Sequence, residues 1–267
     1  MTVHNRKDTT IGCLRRLYSC RVPNGVSLFV YLMDDGSTDG TREAVLREFP
    51  NVNVLQGNGN LFWNQGMRAA WKEALKHKHD FYLWLNDDTE LLENAIEELY
   101  GVYQQLPAIS IIAGQLSDKI GSTNPTYGGK INGTAFSPTG KPEKCETMAG
   151  NIVLVPQVVV DKIGILSSFY SHKWGDYDYG VIATKRGVGV YSTRCLVGAC
   201  DRKNVVRGKW CDPQYSLKKR LGFFFSPNGA TPLEYAYFSF RTKPFKEALF
   251  CSTLGNWANL KKCLFPK

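Results

Sequence analysis

The feature that most constrains the fold is a regular alternation of short apolar runs with amphipathic stretches over the first 120 residues. The runs "VSLFVYLM" (26–33), "FYLWLN" (81–86) and "ISIIAG" (109–114) have the length and continuous apolarity of strands that are covered on both faces. Apolar residues at helical spacing recur over 8–20, 38–48, 65–76 and 90–106. This alternation predicts an α/β fold, with a mixed, mostly parallel sheet and helices on both of its faces.

Length and composition fit one large domain with an appendage. With 267 residues, 43% of them hydrophobic, the chain can bury a sizeable core. No run of about 18 apolar residues occurs, and the residues after Met1 are polar, so we expect neither a membrane span nor a signal peptide. The eight cysteines show no CxxC spacing and predict reduced thiols in a cytoplasmic protein.

The net charge of +9 is concentrated at one end of the chain. Residues 201–267 hold 13 of the 33 Lys and Arg residues but only 4 of the 24 Asp and Glu residues. Aromatic residues are interleaved with these cations, as in "LEYAYFSFRTKPFKEALF" (233–250). Such a segment favours a partner that is anionic and partly apolar. We predict peripheral contact with the inner face of the cell membrane rather than with nucleic acid; a solvated basic tail is the alternative.

Adjacent carboxylates follow two of the predicted strands. Asp34 and Asp35 end the first apolar run, and Asp87 and Asp88 end the second. Ligands of open α/β sheets bind at these carboxyl ends. Because like charges held close together repel, a cation should offset them, and oxygen ligands without a His or Cys cluster suit Mg²⁺ or Mn²⁺. The alternative is that these Asp residues only form turns and helix caps.

Other motifs with similar letters do not fit. Asp35, Ser37, Asp39 and Gly40 match the first half of an EF-hand loop, but its twelfth position is Leu46 instead of a bidentate Glu. The chain contains no GxxxxGK[ST] phosphate loop and no GxSxG nucleophile motif, and "GNGN" lacks the context of a dinucleotide-binding loop.

The stretches "MDDGSTDGT", "LNDDTEL", "GNIVLVP" and "HKWGDYDYG" resemble glycosyltransferase family 2, the inverting nucleotide-sugar enzymes with the GT-A (Rossmann-like) fold. "GNGNLFWNQGMRAAW" and the tail resemble its bacterial rhamnosyl- and galactofuranosyl-transferase-like branch. The resemblance implies metal-dependent transfer of a sugar with inversion. The donor would be a UDP- or dTDP-sugar, the acceptor a saccharide or lipid-linked saccharide, and the pathway cell-surface polysaccharide biosynthesis.

The resemblance also implies a set of nucleotide contacts. Thr2 and His4 would lie beside the base, and Asp34 and Asp35 would hold the base and ribose. His4 as a packed turn residue is the alternative.

The same resemblance assigns the reacting centre. Asp87 and Asp88 stand for the site of Mn²⁺ or Mg²⁺, which neutralises the leaving diphosphate, and Asp176 stands for the base that takes the acceptor proton. The family's histidine that completes the metal site has no clear counterpart, and Cys200 or Asp201 is the candidate third ligand.

Three further residues are candidates near this centre. Trp63 either belongs to the core or stacks on a sugar. His172 either orders the loop before Asp176 or contacts the acceptor. Asp178 is expected to orient that loop rather than to do chemistry.

The sequence departs from the family at two further places. The family's first strand would precede Thr2, and Met1 falls at its end, so we expect the middle of the sheet to be exposed and nucleotide binding to be weakened. The family's usual Arg is Ile182, and Lys185 or Arg186 would have to replace its contact.

The predicted organisation is a glycosyltransferase domain over 1–212 and a small basic, aromatic helical extension over 213–267. Two other functions are weighed. A catalytically impaired nucleotide-sugar-binding or scaffold protein would explain the departures. A sugar-1-phosphate nucleotidyltransferase would need a Gly-rich, Arg-containing loop, which "TVHNRKDTT" is not.

Overall fold

The computed structural model describes residues 1–201 and 208–266. Its helices in those residues are α1 (Lys7–Ser19), α2 (Thr41–Glu48), α3 (Phe62–Leu75), α4 (Ala95–Tyr103), α5 (Gln157–Ile163), α6 (Gly175–Lys185), α7 (Leu217–Phe225), α8 (Pro232–Thr242), α9 (Phe245–Phe250) and α10 (Asn256–Leu264). A 3-10 turn, Lys209–Cys211, precedes α7, and a π-helical turn, Cys251–Gly255, joins α9 to α10. Each of the four helices expected in the first 120 residues is present.

The strands in the described residues are β1 (Thr2–Val3), β2 (Tyr31–Asp34), β3 (Asn53–Gln56), β4 (Phe81–Leu85), β5 (Glu90–Leu91), β6 (Ser110–Ser117), β7 (Pro125–Tyr127), β8 (Gly129–Ile131), β9 (Thr134–Ala135), β10 (Thr147–Met148), β11 (Ile152–Pro156) and β12 (Gly189–Ala199). One sheet has the order β1–β2–β3 and is parallel. A second has the order β4–β11–β6–β12–β5, in which β6 and β12 are parallel and β11 is antiparallel to both neighbours. The predicted mixed α/β fold is confirmed.

An aromatic cluster in the core joins helix α6 to the second sheet. Trp71 and Trp84 are both buried and pack with ring centroids 5.3 Å apart. Tyr179 of α6 packs against Trp84 at 5.2 Å. Burying a large apolar side chain is worth about 1.5–3 kcal/mol, and edge-to-face ring pairs add to this. The cluster therefore sets the position of α6, and with it that of Asp176.

A cleft of about 460 Å³ separates the two sheets. It lies between the run 26–31 on one side and β4 on the other, and Met1 lines it as well. The sequence predicts a strand over 26–33, but the ladder begins only at Tyr31. Beyond the two-residue β1, the run has no neighbour on the cleft side among the described residues, so Phe29 is 62% exposed. The run 26–31 therefore forms one wall of this cleft.

The C-terminal segment, α7 to α10, is a helical unit with its own packing. Phe224 is buried, and the guanidinium of Arg220 donates hydrogen bonds to the carbonyl oxygens of Cys263 (2.8 Å) and Tyr215 (2.6 Å). The bond to Cys263 ties α7 to the end of α10. Among the described residues, no helix combines the length and apolarity that crossing a membrane requires. All eight cysteines, each in the described part of the chain, are free thiols.

Candidate active site

Asp35 fastens the loop before α3 to the end of β2. Its Oδ1 accepts a hydrogen bond from the N–H of Gly59 (2.8 Å), and its Oδ2 accepts from the N–H groups of Leu61 (2.8 Å) and Phe62 (3.0 Å). Both oxygens are thus engaged by the chain itself. These bonds position Trp63, which follows Phe62 in the first turn of α3.

The other three predicted nucleotide residues surround the same strand ends. Asp34 is buried; its Oδ1 accepts from the N–H of Ser37 (2.9 Å), whereas its Oδ2 has no hydrogen-bond partner among the described residues. Thr2 pairs in β1 beside β2, and His4 Nδ1 lies 2.6 Å from the carbonyl oxygen of Asp35. A buried acceptor without a donor is costly, which makes Asp34 the better placed of the two carboxylates to receive a ligand hydroxyl.

Arg6 bridges the second carboxylate pair, at the end of β4. Its Nη1 lies 3.1 Å from Asp87 Oδ1, and its Nη2 lies 3.1 Å from Asp88 Oδ2. Burial raises the pKa of Asp87 to about 6, while the charge of Arg6 opposes that rise. Asp88 is more accessible, with its side chain 25% exposed. Arg6 therefore supplies a positive charge beside the second carboxylate pair. The sequence analysis expected such a charge there but did not identify Arg6 as its source.

The carboxylates fit a divalent metal only with help from a ligand. No group of three or more His, Cys, Asp or Glu side chains in the described ranges is arranged to hold one. The thiol of Cys200 lies 3.7 Å from Asp88 Oδ1, and burial raises its pKa. Asp201 is exposed. Mn²⁺ and Mg²⁺ accept one or two carboxylates when a diphosphate and waters supply the remaining oxygens, and the pair at 87 and 88 fits that arrangement.

A second cleft, of about 400 Å³, brings together three of the residues predicted from the sequence. It is lined by Trp63, Asn86, Gly150, Asn151, His172, Lys173, Trp174, Asp176 and Tyr177. Asp176 lies in the first turn of α6; its Oδ2 accepts from the N–H of Gly150 (2.8 Å) and its Oδ1 from its neighbour Tyr177 (2.9 Å). Burial raises the pKa of this carboxyl. Asp87 and Asp88 do not line this cleft, but Asn86, which directly precedes them in the chain, does.

Gly150 lies in the wall of this cleft, closely packed between Trp63 and Asp176. A Cβ at this position would lie 2.5 Å from Cζ2 of Trp63 and 3.2 Å from Cβ of Asp176, so only glycine fits. The indole N–H of Trp63 donates to Asn86 Oδ1 (2.7 Å), and its ring packs edge-to-face on Trp84. Trp63 therefore belongs to the core and to the cleft wall at once.

The loop before α6 is held in a strained conformation. Trp174 has φ = 72°, in the left-handed region that a bulky side chain rarely adopts. Two residues earlier, His172 Nδ1 accepts a hydrogen bond from the N–H of Trp63 (3.4 Å). Burial lowers the pKa of His172 to about 4, so the ring is neutral and able to accept. Strain of this kind is typical of functional sites, where the surrounding packing enforces it.

Helix α8 of the C-terminal segment supplies that packing. Glu234 Oε1 accepts hydrogen bonds from the N–H (2.8 Å) and the hydroxyl (2.5 Å) of Ser171, and the rings of Tyr235 and Phe238 lie 5.1 and 4.9 Å from Trp174. The loop that carries His172 is thereby fixed from outside the first 212 residues.

An ion pair between a partly exposed arginine and a buried aspartate joins α8 to α6. Arg241 Nε and Nη2 donate to the two oxygens of Asp178 at 2.8 and 3.2 Å, and Tyr170 donates to Oδ1 at 3.0 Å. The side chain of Asp178 is buried. Lys185 donates to the carbonyl oxygen of Arg241 (2.8 Å), so it serves this contact and not the cleft. Sequence reasoning missed Arg241 and Glu234, because neither carries a local signal for a partner more than 60 residues away.

The family model described as glycosyl transferase family 2 matches residues 1–153. The chain belongs to glycosyltransferase family 2. The matched part contains both acidic pairs, and it ends before Asp176 and the C-terminal segment.

Two solved structures share the fold of this family 2 glycosyltransferase. One is a mannosyltransferase from Pyrobaculum calidifontis, in complex with GDP-Man and Mn²⁺: 14% identity, TM-score 0.57, covering 98% of this chain and 71% of that one. The other is TarS residues 1–349 from S. aureus: 13% identity, TM-score 0.52, covering 96% and 72%. No curated protein matches the chain. At these identities the likeness shows the GT-A fold alone.

Proposed function

We propose that this family 2 glycosyltransferase transfers a sugar from a nucleotide-sugar donor to an acceptor hydroxyl with inversion, and that Asp176 is the base. The observation that carries the proposal is the position of Asp176, in a cleft of about 400 Å³ whose lining includes Asn86, the residue directly before the second acidic pair. Two backbone N–H groups fix its carboxylate. Burial raises its pKa, and a raised pKa brings a carboxylate closer to the pH at which a base is most effective.

The reaction is a single displacement. The acceptor oxygen forms a bond to C1 of the sugar as the bond from C1 to the diphosphate oxygen breaks, and the hydroxyl proton passes to the Asp176 carboxylate. The nucleoside diphosphate leaves with the bonding electrons. One displacement at C1, with oxocarbenium-like character, inverts the configuration. His172, which is neutral, stays bonded to Trp63 and keeps the cleft in shape.

Asp88, with Asp87 behind it, would hold Mn²⁺ or Mg²⁺ together with the donor diphosphate. The metal would supply the positive charge that the leaving diphosphate needs. The related mannosyltransferase, which binds GDP-Man with Mn²⁺, supports a nucleoside diphosphate sugar and a divalent metal here. We further propose a UDP- or dTDP-sugar donor and a saccharide or lipid-linked saccharide acceptor of cell-surface polysaccharide synthesis, because the sequence resembles that branch.

Substitution of the base tests the assignment directly. Asp176→Asn should leave donor affinity unchanged and lower turnover by roughly 10²-fold or more, the scale for loss of a general base. Asp161→Asn, on the exposed side of α5 and outside the cleft, is the matched control and should turn over normally. The anomeric configuration of the product, read by NMR, should be opposite to that of the donor. Retention, or turnover of Asp176→Asn within a few-fold of wild type, would contradict the proposal.

Calorimetry tests the metal site. Nucleoside diphosphate should bind more tightly with Mn²⁺ than with a chelator, and Asp88→Ala should remove the difference. Asp161→Ala, which removes an exposed carboxylate outside both clefts, is the control and should bind like wild type. An equal affinity of wild type and Asp88→Ala in Mn²⁺ would exclude the site. Tight donor binding without turnover of any acceptor would instead favour a nucleotide-sugar-binding protein.

A further inference from the structure

The last helical stretch of the described chain carries several exposed apolar side chains. Helix α9, the π-helical turn and α10 follow each other without a break from residue 245 to residue 264. Twenty residues at 1.5 Å rise give a length of about 30 Å. Ala248 and Cys263 are fully buried and face the rest of the segment. This buried side is anchored by Arg220, so the opposite side is directed outward by packing.

The outward side carries large apolar residues. We call it the apolar face; its members are Phe245, Leu249, Phe250, Leu254 and Trp257. Phe245, Phe250 and Trp257 are 72%, 60% and 56% exposed. Single exposed apolar residues are ordinary, but a run of five on one helical stretch marks an interaction surface.

Cations surround the apolar face. Lys246, Lys261 and Lys262 lie on the same stretch and are exposed. Its only acidic residue, Glu247, is already paired with Lys243. A partner for this surface must therefore offer an apolar region to the rings and leucines and negatively charged groups to the lysines. An anionic lipid surface supplies both along the whole length of the helix, because its acyl boundary is apolar and its headgroups are negatively charged.

We propose that the apolar face is a docking surface for an anionic membrane, with the helix lying in the plane of the headgroups. The rings and leucines enter the acyl boundary, and the lysines contact lipid phosphates. On a cell, the anionic leaflet in question is the inner face of the cell membrane. The inference stands apart from sugar transfer, because none of these residues lines the cleft that holds Asp176.

Vesicle sedimentation tests the surface. The protein should bind vesicles of phosphatidylcholine with about 30% phosphatidylglycerol at low salt, and bind at least about tenfold less to pure phosphatidylcholine or at about 0.5 M NaCl. The triple variant Phe245→Ser/Phe250→Ser/Trp257→Ser should lose at least about tenfold in affinity. Phe29→Ser, which removes an equally exposed ring elsewhere, is the matched control and should bind like wild type.

A second variant protects the test against misfolding. Lys246→Gln/Lys261→Gln/Lys262→Gln keeps the apolar face and should lose binding to the anionic vesicles while its circular dichroism stays unchanged. Absence of binding at low salt, or equal binding by all variants, would overturn the proposal. So would a wild-type dimer that the Ser variant converts to monomer without any change in vesicle binding. Sugar transfer to a soluble acceptor, measured in parallel, should be unaffected by either variant.

Discussion

At the scale of single residues, the cleft depends on a glycine that has no room for a methyl group. Gly150→Ala would press its Cβ against the ring of Trp63 and against Asp176. Overpacking of this kind costs about 1–3 kcal/mol, so we expect a lower melting temperature and a loss of turnover, because Gly150 also donates to the Asp176 carboxylate.

The control for that experiment is Gly12→Ala, in the middle of α1. A Cβ there meets nothing within 4 Å, and alanine is the better helix former by about 0.5–1 kcal/mol. Thermal unfolding should therefore show a small gain in stability for Gly12→Ala and a loss for Gly150→Ala. Equal effects of the two substitutions would mean that the cleft wall tolerates the added methyl.

His172 is the residue whose protonation should couple pH to stability. Its pKa falls from the ordinary 6.5 to about 4 in the folded state, because burial disfavours the charged ring. Between these values the unfolded chain binds a proton that the folded chain does not. The contribution of His172 to stability should therefore be complete above about pH 6.5 and decline as the pH falls toward 4. His172→Gln keeps a side-chain acceptor and should flatten the difference in denaturation midpoint across this window. A parallel decline in both proteins would contradict this.

At the scale of elements, helix α8 and helix α6 act as one unit. Arg241 and Asp178 form a bidentate pair between them, and Glu234 holds the loop that leads into α6. Charge-assisted bonds of this geometry are directional as well as strong. The C-terminal segment therefore supports the loop that leads to the proposed base, in addition to being a basic extension.

Breaking the pair on one side tests that role. Arg241→Met leaves the buried Asp178 without its cation and should cost up to about 3 kcal/mol, since Arg241 itself is partly exposed. The double variant Arg241→Met/Asp178→Asn should recover part of the loss. Lys243→Met breaks only a surface pair with Glu247 and should change stability by less than about 1 kcal/mol. Below its melting temperature, Arg241→Met should turn over more slowly than wild type with donor affinity unchanged. Equal turnover of Arg241→Met and Lys243→Met would show that α8 does not support the site.

At the scale of the whole molecule, the cleft between the two sheets is shaped for one more strand. It is lined by the run 26–31, which precedes β2 and extends past the two-residue edge strand β1, and by β4, the edge strand of the second sheet; both are largely apolar. The Met1 nitrogen already donates to the carbonyl oxygen of Tyr31 (2.9 Å), as a strand residue would, and burial lowers the pKa of this amine to about 6. As a peptide N–H it would make the same bond without a charge to desolvate.

A chain extended before Met1 by five apolar, β-branched residues should therefore be more stable. We expect the added strand to raise the melting temperature by at least about 3 °C, since about 1 kcal/mol shifts it by 2–4 °C at this size. An extension of alternating Gly and Ser gives the matched control, because it adds the same length without apolar surface. A melting temperature that is the same for both extensions would show that the cleft does not accept a strand.

The sequence by itself determined the fold class and the ends of the strands where the site lies. Continuous apolar runs and helical spacing are local patterns, so they predicted most strands and helices of the first 120 residues. The acidic pairs at 34–35 and 87–88 marked the carboxyl ends of two strands. "HKWGDYDYG" placed Asp176 by resemblance, and its role as a base stays a prediction. The run 26–33 was too long as a strand, because a strand also needs a neighbour.

Only the tertiary structure decided which groups meet. Arg6 lies against Asp87 and Asp88 from more than 80 positions away, and Arg241 reaches Asp178 across 63. Neither contact leaves a mark in the local sequence, because an arginine that pairs inside the fold has the same letters around it as one in solvent. The sequence therefore revealed the charge of the basic tail. It did not reveal the contacts of the tail with the loop before Asp176, because those contacts depend on how α8 packs.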